Sequence, residues 1–241
     1  MPTYNSKTIL TAGTKLFVAK LAENQRKPVE YTVTNTAAAT IGADELTLDV
    51  TGGDLAAGKS LFLAAGLELT YGTTLVEVAL DTIVPFGTAT AVPVEPVKAA
   101  VPASTASQTY AMLPLLGVTE ANPGNESQTE DITNFLSGFG QEMNVTGINR
   151  NFQVGGFKIK GDRAMDNIVI PLSANDERAG EEIYALLQLE SGDKFRGAAK
   201  VSSLNFANGV RASVKYSFQL MIQGTSYKYE NGVAYAETVN A

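Results

Sequence analysis

The stretch "VRASVKYSFQLMIQG", residues 210–224, alternates almost without a break. Val210, Ala212, Val214, Tyr216, Phe218, Leu220 and Ile222 fall on one side, and Arg211, Ser213, Lys215, Ser217, Gln219, Met221 and Gln223 on the other. A period of two marks a strand with one dry face and one wet face. At ~3.4 Å per residue such a strand runs about 45 Å, long for a soluble domain. Its polar face must meet water or a polar neighbour. Just before it, Asn208-Gly209 is a strong hairpin signal because both residues can take positive φ. "KFRGAAKVSSLNF" (194–206) supplies the partner strand.

Working outward, the fold class expected is mainly β: an antiparallel β-sandwich or barrel with one packed α-helix, plus a small inserted β module. "TKLFVAKL" (14–21) reads as the first strand, following a polar arm, and together they make a unit over 1–28. Residues 29–106 are rich in Ala, Thr, Val and Gly, with short strand candidates "VEYTVT", "ELTLDV", "KSLFLA", "TLVEVAL" and "TATAVPVEPV" between turns. A weak echo links "IGADELTLDVTGGDLAAG" (41–58) to "FGTATAVPVEPVKAAVPA" (86–103). This region reads as an inserted acidic β module, with 97–108 as its exit linker. The main domain is then 107–241. Within it "TYAMLPLLGV" (109–118) is strand-like, and "TEANPGNESQTED" (119–131) reads as a surface loop. "FGQEMNVTG", "FQVGGFKIKG" and "NIVIPL" read as three strands. One helix is expected at about 175–190, from Ser173 and Asp176 as a cap, an apolar stripe of Ala179, Ile183, Leu186 and Leu187, and a closing Gly192. That helix would expose Glu181, Glu182 and Gln188.

The chain has 241 residues with no cysteine and no histidine. Disulfides, thiolate metal sites and any nucleophile activated by histidine are therefore excluded. No apolar run is long enough for a membrane span, and the N-terminus lacks the features of a signal peptide. The net charge of −7 is uneven. Residues 1–28 carry five basic groups and one acid, 29–140 two basic groups and thirteen acids, and 141–241 eleven of each. A middle segment so poor in Lys and Arg would repel a polyanion.

Gly53, Gly58, Lys59 and Ser60 match the phosphate-loop pattern, with Asp81 as a possible magnesium ligand. Such a loop needs a buried parallel strand before it and a helix after it. "ELTLDV" upstream alternates like a half-exposed strand, whereas "SLFLAAGLEL" downstream can be read as a buried helix. The rest of the chain lacks strand–helix alternation, so the bland reading, a turn between strands, is preferred. Asp162, Asp166, Asp176 and Glu177 could hold a cation, but read better as a solvated loop and helix start. Arg150, Lys158, Lys160 and Arg163, interleaved with Phe152 and Phe157, could suggest nucleic acid. In an acidic chain they read better as one face of an amphipathic hairpin. Tyr227, Tyr229 and Tyr235 read as packing or interface residues. No catalytic constellation, cofactor or metal site is expected.

The order "AGTKLFVA", an antiparallel β core, "ERAGEEIYALLQLESGDKF", and the closing "GAAKVSSLNFANGVRASVKYSFQLMIQG" resembles the major tail tube protein of long-tailed bacteriophages. The resemblance covers roughly 1–22 and 109–226; residues 29–106 depart from it. It implies a non-enzymatic virion protein, assembled in the bacterial host cytoplasm. Six subunits would form a ring, their sheets joined into an inner barrel, and rings would stack into a tube that conducts the genome. The N-terminal arm and a long loop would contact adjacent rings. Expected partners are further copies of the chain, other tail proteins, and double-stranded DNA passing without specific binding, with no membrane. Arg211, Lys215, Gln219, Arg150, Lys158 and Lys160 are the candidates for the subunit interface or the lumen. The family usually presents a mostly acidic lumen, so Lys215 and Arg211 would have to pair with acids across subunits or lie in an intersubunit surface. The related tube of bacterial contractile injection systems fits equally. Two other classes are a nucleotide-binding protein built on Gly53–Ser60 and a surface adhesion module in which 29–106 binds carbohydrate or host.

Overall fold

The computed structural model describes residues 14–21, 25–52, 59–131, 143–174, 181–189, 194–207, 214–230 and 233–236. The strands, in chain order, are β1 (Lys15–Lys20), β2 (Glu30–Asn35), β3 (Glu45–Thr51), β4 (Ser60–Leu63), β5 (Glu68–Tyr71), β6 (Thr74–Glu77), β7 (Thr82–Pro85) and β8 (Thr90–Pro93). They continue as β9 (Thr105–Tyr110), β10 (Leu113–Pro114), β11 (Val118–Asp131), β12 (Met143–Phe157), β13 (Ile183–Gln188), β14 (Lys194–Ala207), β15 (Lys215–Glu230) and β16 (Val233–Ala236). A π-helical segment, Met165–Val169, runs into the short helix α1, Ile170–Ala174. The protein is mainly β, and every ladder between these strands is antiparallel.

The main sheet runs β10-β1-β13-β14-β15-β12-β11, with β16 added to β15. The strands between residues 30 and 110 form a second sheet, β8-β3-β2-β9, and two hairpin-like pairs, β4-β7 and β5-β6. The two echoing segments are neighbours here, since β3 and β8 pair from Glu45↔Pro93 to Leu48↔Thr90.

The centre of the main sheet is covered on both faces. Phe17, Ala19 and Tyr184 pack into one core with Val33, Leu46, Leu48 and Leu69 of the 30–110 strands. Leu16, Val18, Ile183, Ala185 and Leu187 pack into a second core with Met165, Ile168, Val169, Leu172 and Phe218. A strand sealed on both sides has no polar alternation to display. That explains β13, where the sequence suggests a helix at about 175–190. Residues 183–188 are a strand, and Gln188 is buried rather than exposed. Residues 175–180, with Ala179, lie outside the described residues. Its continuous apolar run "IYALL" carries helical spacing by coincidence, an ambiguity that periodicity alone cannot resolve.

The helix is instead the segment expected as the strand "NIVIPL". Ala164, Met165, Ile168, Val169 and Leu172 are its buried stripe, at true helical spacing. The β-branched run disguised it. Pro171 cannot donate to a carbonyl one turn back and its ring crowds that carbonyl; the five residues before Ile170 widen to π geometry.

Three further readings change. "TEANPGNESQTED" is most of β11, a strand on the sheet's edge, where polar composition and Pro123 are tolerated. The two strands expected within 139–161 are, over the described residues, the single strand β12; residues 139–142 lie outside the described residues. Residues 105–108, expected as linker, begin β9 and pair with β2.

Two fastenings hold these layers. Glu68 and Glu77 sit directly opposite each other across β5 and β6, an arrangement that is unfavourable by itself. Two lysines of the main sheet answer them: Lys15 Nζ lies 2.6 Å from Glu77 Oε1, and Lys194 pairs with Glu68. The second fastening is Gly117. It has φ +70°, and a Cβ there would overlap the carbonyl oxygen of Phe157, whose N–H donates to Gly117 O at 2.9 Å. Gly42, also at positive φ, has nothing within 4 Å of a Cβ. Gly117→Ala should therefore cost about 2–4 kcal/mol in urea unfolding, and Gly42→Ala about 1 kcal/mol. Equal losses would show that the contact with Phe157 is not what fixes Gly117.

Candidate functional site

Among the described residues no group of acids is placed to hold a metal ion, so the surfaces that the described strands leave incomplete are the candidates. The first is a ribbon. β12 pairs with β15 only from Asn151 to Phe157. Beyond that point Met143–Arg150 pair with Asn125–Asp131 of β11 alone, among the described strands. At ~3.4 Å per residue this two-stranded ribbon runs on for about 25 Å after parting from β15 at Met221. Ser127, Thr129, Glu130, Asp131, Met143, Asn144 and Asn149 on it are exposed. An isolated two-stranded ribbon is marginal in water. The outer edge of β11 is also guarded: Pro123 has no N–H to offer, and Glu120, Glu130 and Asp131 place charge along it.

The second surface is the face of β15, β12 and β14 that the 30–110 strands do not cover. Tyr216, Phe218 and Leu220 point into the core beside the helix and are buried. Ser217, Gln219 and Met221 point the other way. Their cross-strand neighbours are Gly155, Gln153 and Asn151 on β12 and Asn205, Ser202 and Lys200 on β14. The result is a mostly uncharged polar wall, broken by Met221, which is 42% exposed. At the opposite edge of the sheet, β10 covers β1 at Phe17 and Val18, and Leu115 N–H donates to Leu16 O at 2.8 Å.

The residues singled out by sequence do not converge. Lys215 and Gln219 share the polar wall; Lys215 is exposed and its Nζ lies 5.6 Å from the centre of the Phe157 ring. Lys158 sits near the helix, 3.2 Å from Asp166 Oδ1 and 5.5 Å from the centre of the Phe206 ring. Lys160 is exposed in the turn before the helix, and Arg150 stands on the ribbon opposite Asn125. Arg163 lies over the Phe62 ring. Arg211 lies outside the described residues, and so do the loop Gly53–Gly58, Asp176 and Glu177. Tyr227, Tyr229 and Tyr235 are on β15 and β16.

Around the phosphate-loop match, both flanks are strands. β3 pairs antiparallel with β2 and β8, and Ser60 opens β4, which pairs antiparallel with β7. "SLFLAAGLEL", readable as a helix, is β4, a turn and β5. Asp81 Oδ1 accepts the N–H of Ala65 at 2.8 Å.

Asp162 has a role that sequence reasoning missed. It is 1% exposed. Its Oδ1 accepts the N–H groups of Ala164 and Met165 at 2.9 and 3.2 Å, and its Oδ2 accepts that of Leu116 at 2.9 Å. The carboxylate thus ties the start of the helical segment to the β10–β11 turn. Tyr216 completes the node by donating its hydroxyl to Leu116 O at 3.3 Å. The sequence signal was available: an Asp two residues ahead of the stripe Ala164, Met165, Ile168, Val169 is a capping pattern.

No family model matches the chain, and no curated protein matches it. Part of the chain is similar to a chain from the tail of an empty GTA particle, computed with helical refinement and C6 symmetry. The identity is 15%, the match covers 49% of this chain and 86% of that one, and the TM-score is 0.39.

Burial raises the Asp162 carboxyl to about 6, against the lowering effect of its three backbone N–H donors. The folded chain therefore holds this proton more tightly than the unfolded chain does. The associated stability is fully present below about pH 4 and is lost as pH rises through about 6, by up to about 3 kcal/mol. Denaturant unfolding across pH 4–7 should show this fall in the wild type and not in Asp162→Asn. The same fall in both proteins would assign it to other groups.

Proposed function

We propose that the chain is a structural subunit of a phage-type tail tube and not an enzyme. The observation that carries the reading is the ribbon of β11 and β12, which parts from β15 at Met221, beside an amphipathic sheet whose edge strands β10 and β11 each pair on one side only among the described residues. A single chain leaves these surfaces unfinished, and further copies of itself are the partners of matching shape. In this reading the sheets of neighbouring subunits continue one another around a ring. The ribbon reaches the adjacent ring, and the polar wall of β15, β12 and β14 faces a wet lumen. The ring of six follows from the resemblance of element order to tail tube proteins. Double-stranded DNA would slide along a wall of Gln153, Gln219, Ser202 and Ser217, whose amides and hydroxyls grip phosphates weakly, with Lys200 and Lys215 as its basic groups. Other tail proteins would cap the tube, the assembled product would be the virion tail, and assembly would take place in the bacterial host cytoplasm. No step calls for a cofactor.

Negative-stain electron microscopy at rising protein concentration tests this. The wild type should give six-fold rings and stacked tubes. A variant in which residues 128–147 are replaced by an Asn-Gly turn joins the paired residues Ser127 and Ile148, keeps Phe152 and Val154 in the core, and should melt like the wild type but form no tubes. Discrete particles without rings from the wild type, with or without other tail proteins as initiators, would overturn the reading. Tubes from the shortened variant would remove the ribbon's role.

A further inference from the structure

Where β12 ends and β15 begins, the main sheet carries a groove of about 390 Å³ between β11, β12, β14 and β15. Phe157, Phe206 and Ala207 are its apolar lining, and Lys215 and Glu120 its charged groups. Phe157 and Phe206 are 38% and 40% exposed, a large apolar display for one end of a polar sheet. Each ring also holds an ammonium over it. Lys215 Nζ lies 5.6 Å from the centre of Phe157, and Lys158 Nζ 5.5 Å from the centre of Phe206. Gly156 lines the groove without a side chain, and none would fit, since a Cβ there would overlap Gly117 O and the Tyr216 hydroxyl.

The other end of β12 has the complementary chemistry. The described ribbon ends at the pair Asp131↔Met143. Met143 is 50% exposed, and Glu130 and Asp131 are exposed beside it. Residues 127–131 and 143–149 contain no Lys or Arg. A thioether packs well against aromatic rings, and the two acids suit the exposed Lys215. Glu120 does not block this approach, because its carboxylate is folded against Gly155. The two surfaces cannot meet within one chain, since they close opposite ends of a strand of 15 residues, about 48 Å at ~3.4 Å per residue. A copy displaced along β12 by that length brings its Met143 end to the Phe157 end of the next. Such a head-to-tail contact repeats without closing on itself. We propose that the groove of Phe157 and Phe206 receives the Met143 end of the ribbon of a second copy. The proposal rests on the tube reading for its partner and names the surface on which copies join end to end.

The chain has no cysteine, so Asn144→Cys and Ala207→Cys, both at exposed positions, introduce its sole thiols and leave both rings in place. A short bismaleimide added to the double variant of the full chain at high concentration should give a ladder of oligomers on a denaturing gel. A mixture of the two single variants should stop at a dimer. Asn144→Cys combined with Ile83→Cys, which is 63% exposed on the 30–110 strands, sets the background. Adding Phe206→Ala to the double variant should leave its melting unchanged and cut the ladder about tenfold or more. No ladder above the background, or a ladder indifferent to Phe206→Ala, would overturn the assignment. Electron microscopy of the same samples separates the two readings. Tubes without a ladder remove the groove's role and leave the tube reading standing, whereas a ladder without rings supports the end-to-end contact and removes the ring.

Discussion

Leu16 and Val18 leave β1 in one direction and Phe17 and Ala19 in the other, and both sets are sealed from water. Their neighbours on β13 do the same. This double burial is the constraint on which the remaining layers depend. Each face of the central strands needs a cover. The 30–110 strands supply one, and the π-helical segment with α1 supplies the other. Full burial of side chains of this size is worth roughly 1.5–3 kcal/mol each, so neither cover can be lost cheaply. The 30–110 strands are thus joined to the sheet by a shared core, reinforced where Lys15 and Lys194 meet the facing pair Glu77 and Glu68.

The covers do not reach the whole sheet. Toward β15, β12 and β11 the helix side stays apolar and buried, with Phe218 and Leu220, while the other side turns polar. The same sheet is therefore a core element at one end and a wall at the other. That change of character is what a subunit contributing a barrel segment requires: one dry face for its own packing and one wet face for a channel. The ribbon carries β11 and β12 on from this wall as a two-stranded pair among the described strands.

Much of this was legible in the sequence, for physical reasons that also explain the misses. The alternation of Tyr216, Phe218 and Leu220 against Ser217, Gln219 and Met221 was readable because β15 has two different faces. β13 was not, because equal burial on both sides erases alternation and leaves "IYALL" open to a helical reading. The true helix hid behind Ile168, Val169 and Ile170, whose β-branching suggests a strand, and behind Pro171. β11 passed for a loop because an edge strand in a ribbon tolerates Pro123 and a run of polar residues. Asp162 could be seen as an acid before a helix start, but its grip on Leu116, 46 residues away, is a tertiary fact. The groove at Phe157 and Phe206 joins residues from distant strands and left no sequence signal.

The account rests on the ribbon being completed by another copy of the chain. Amide hydrogen exchange over residues 124–131 and 143–151, compared between dilute monomer and assembled material, addresses this directly. In the monomer these N–H groups should exchange far faster than those of β1 and β13, because the ribbon is an isolated pair of strands in water. In assembled material they should be protected to the level of the core. Fast exchange persisting after assembly, or core-like protection already present in the dilute monomer, would contradict the account.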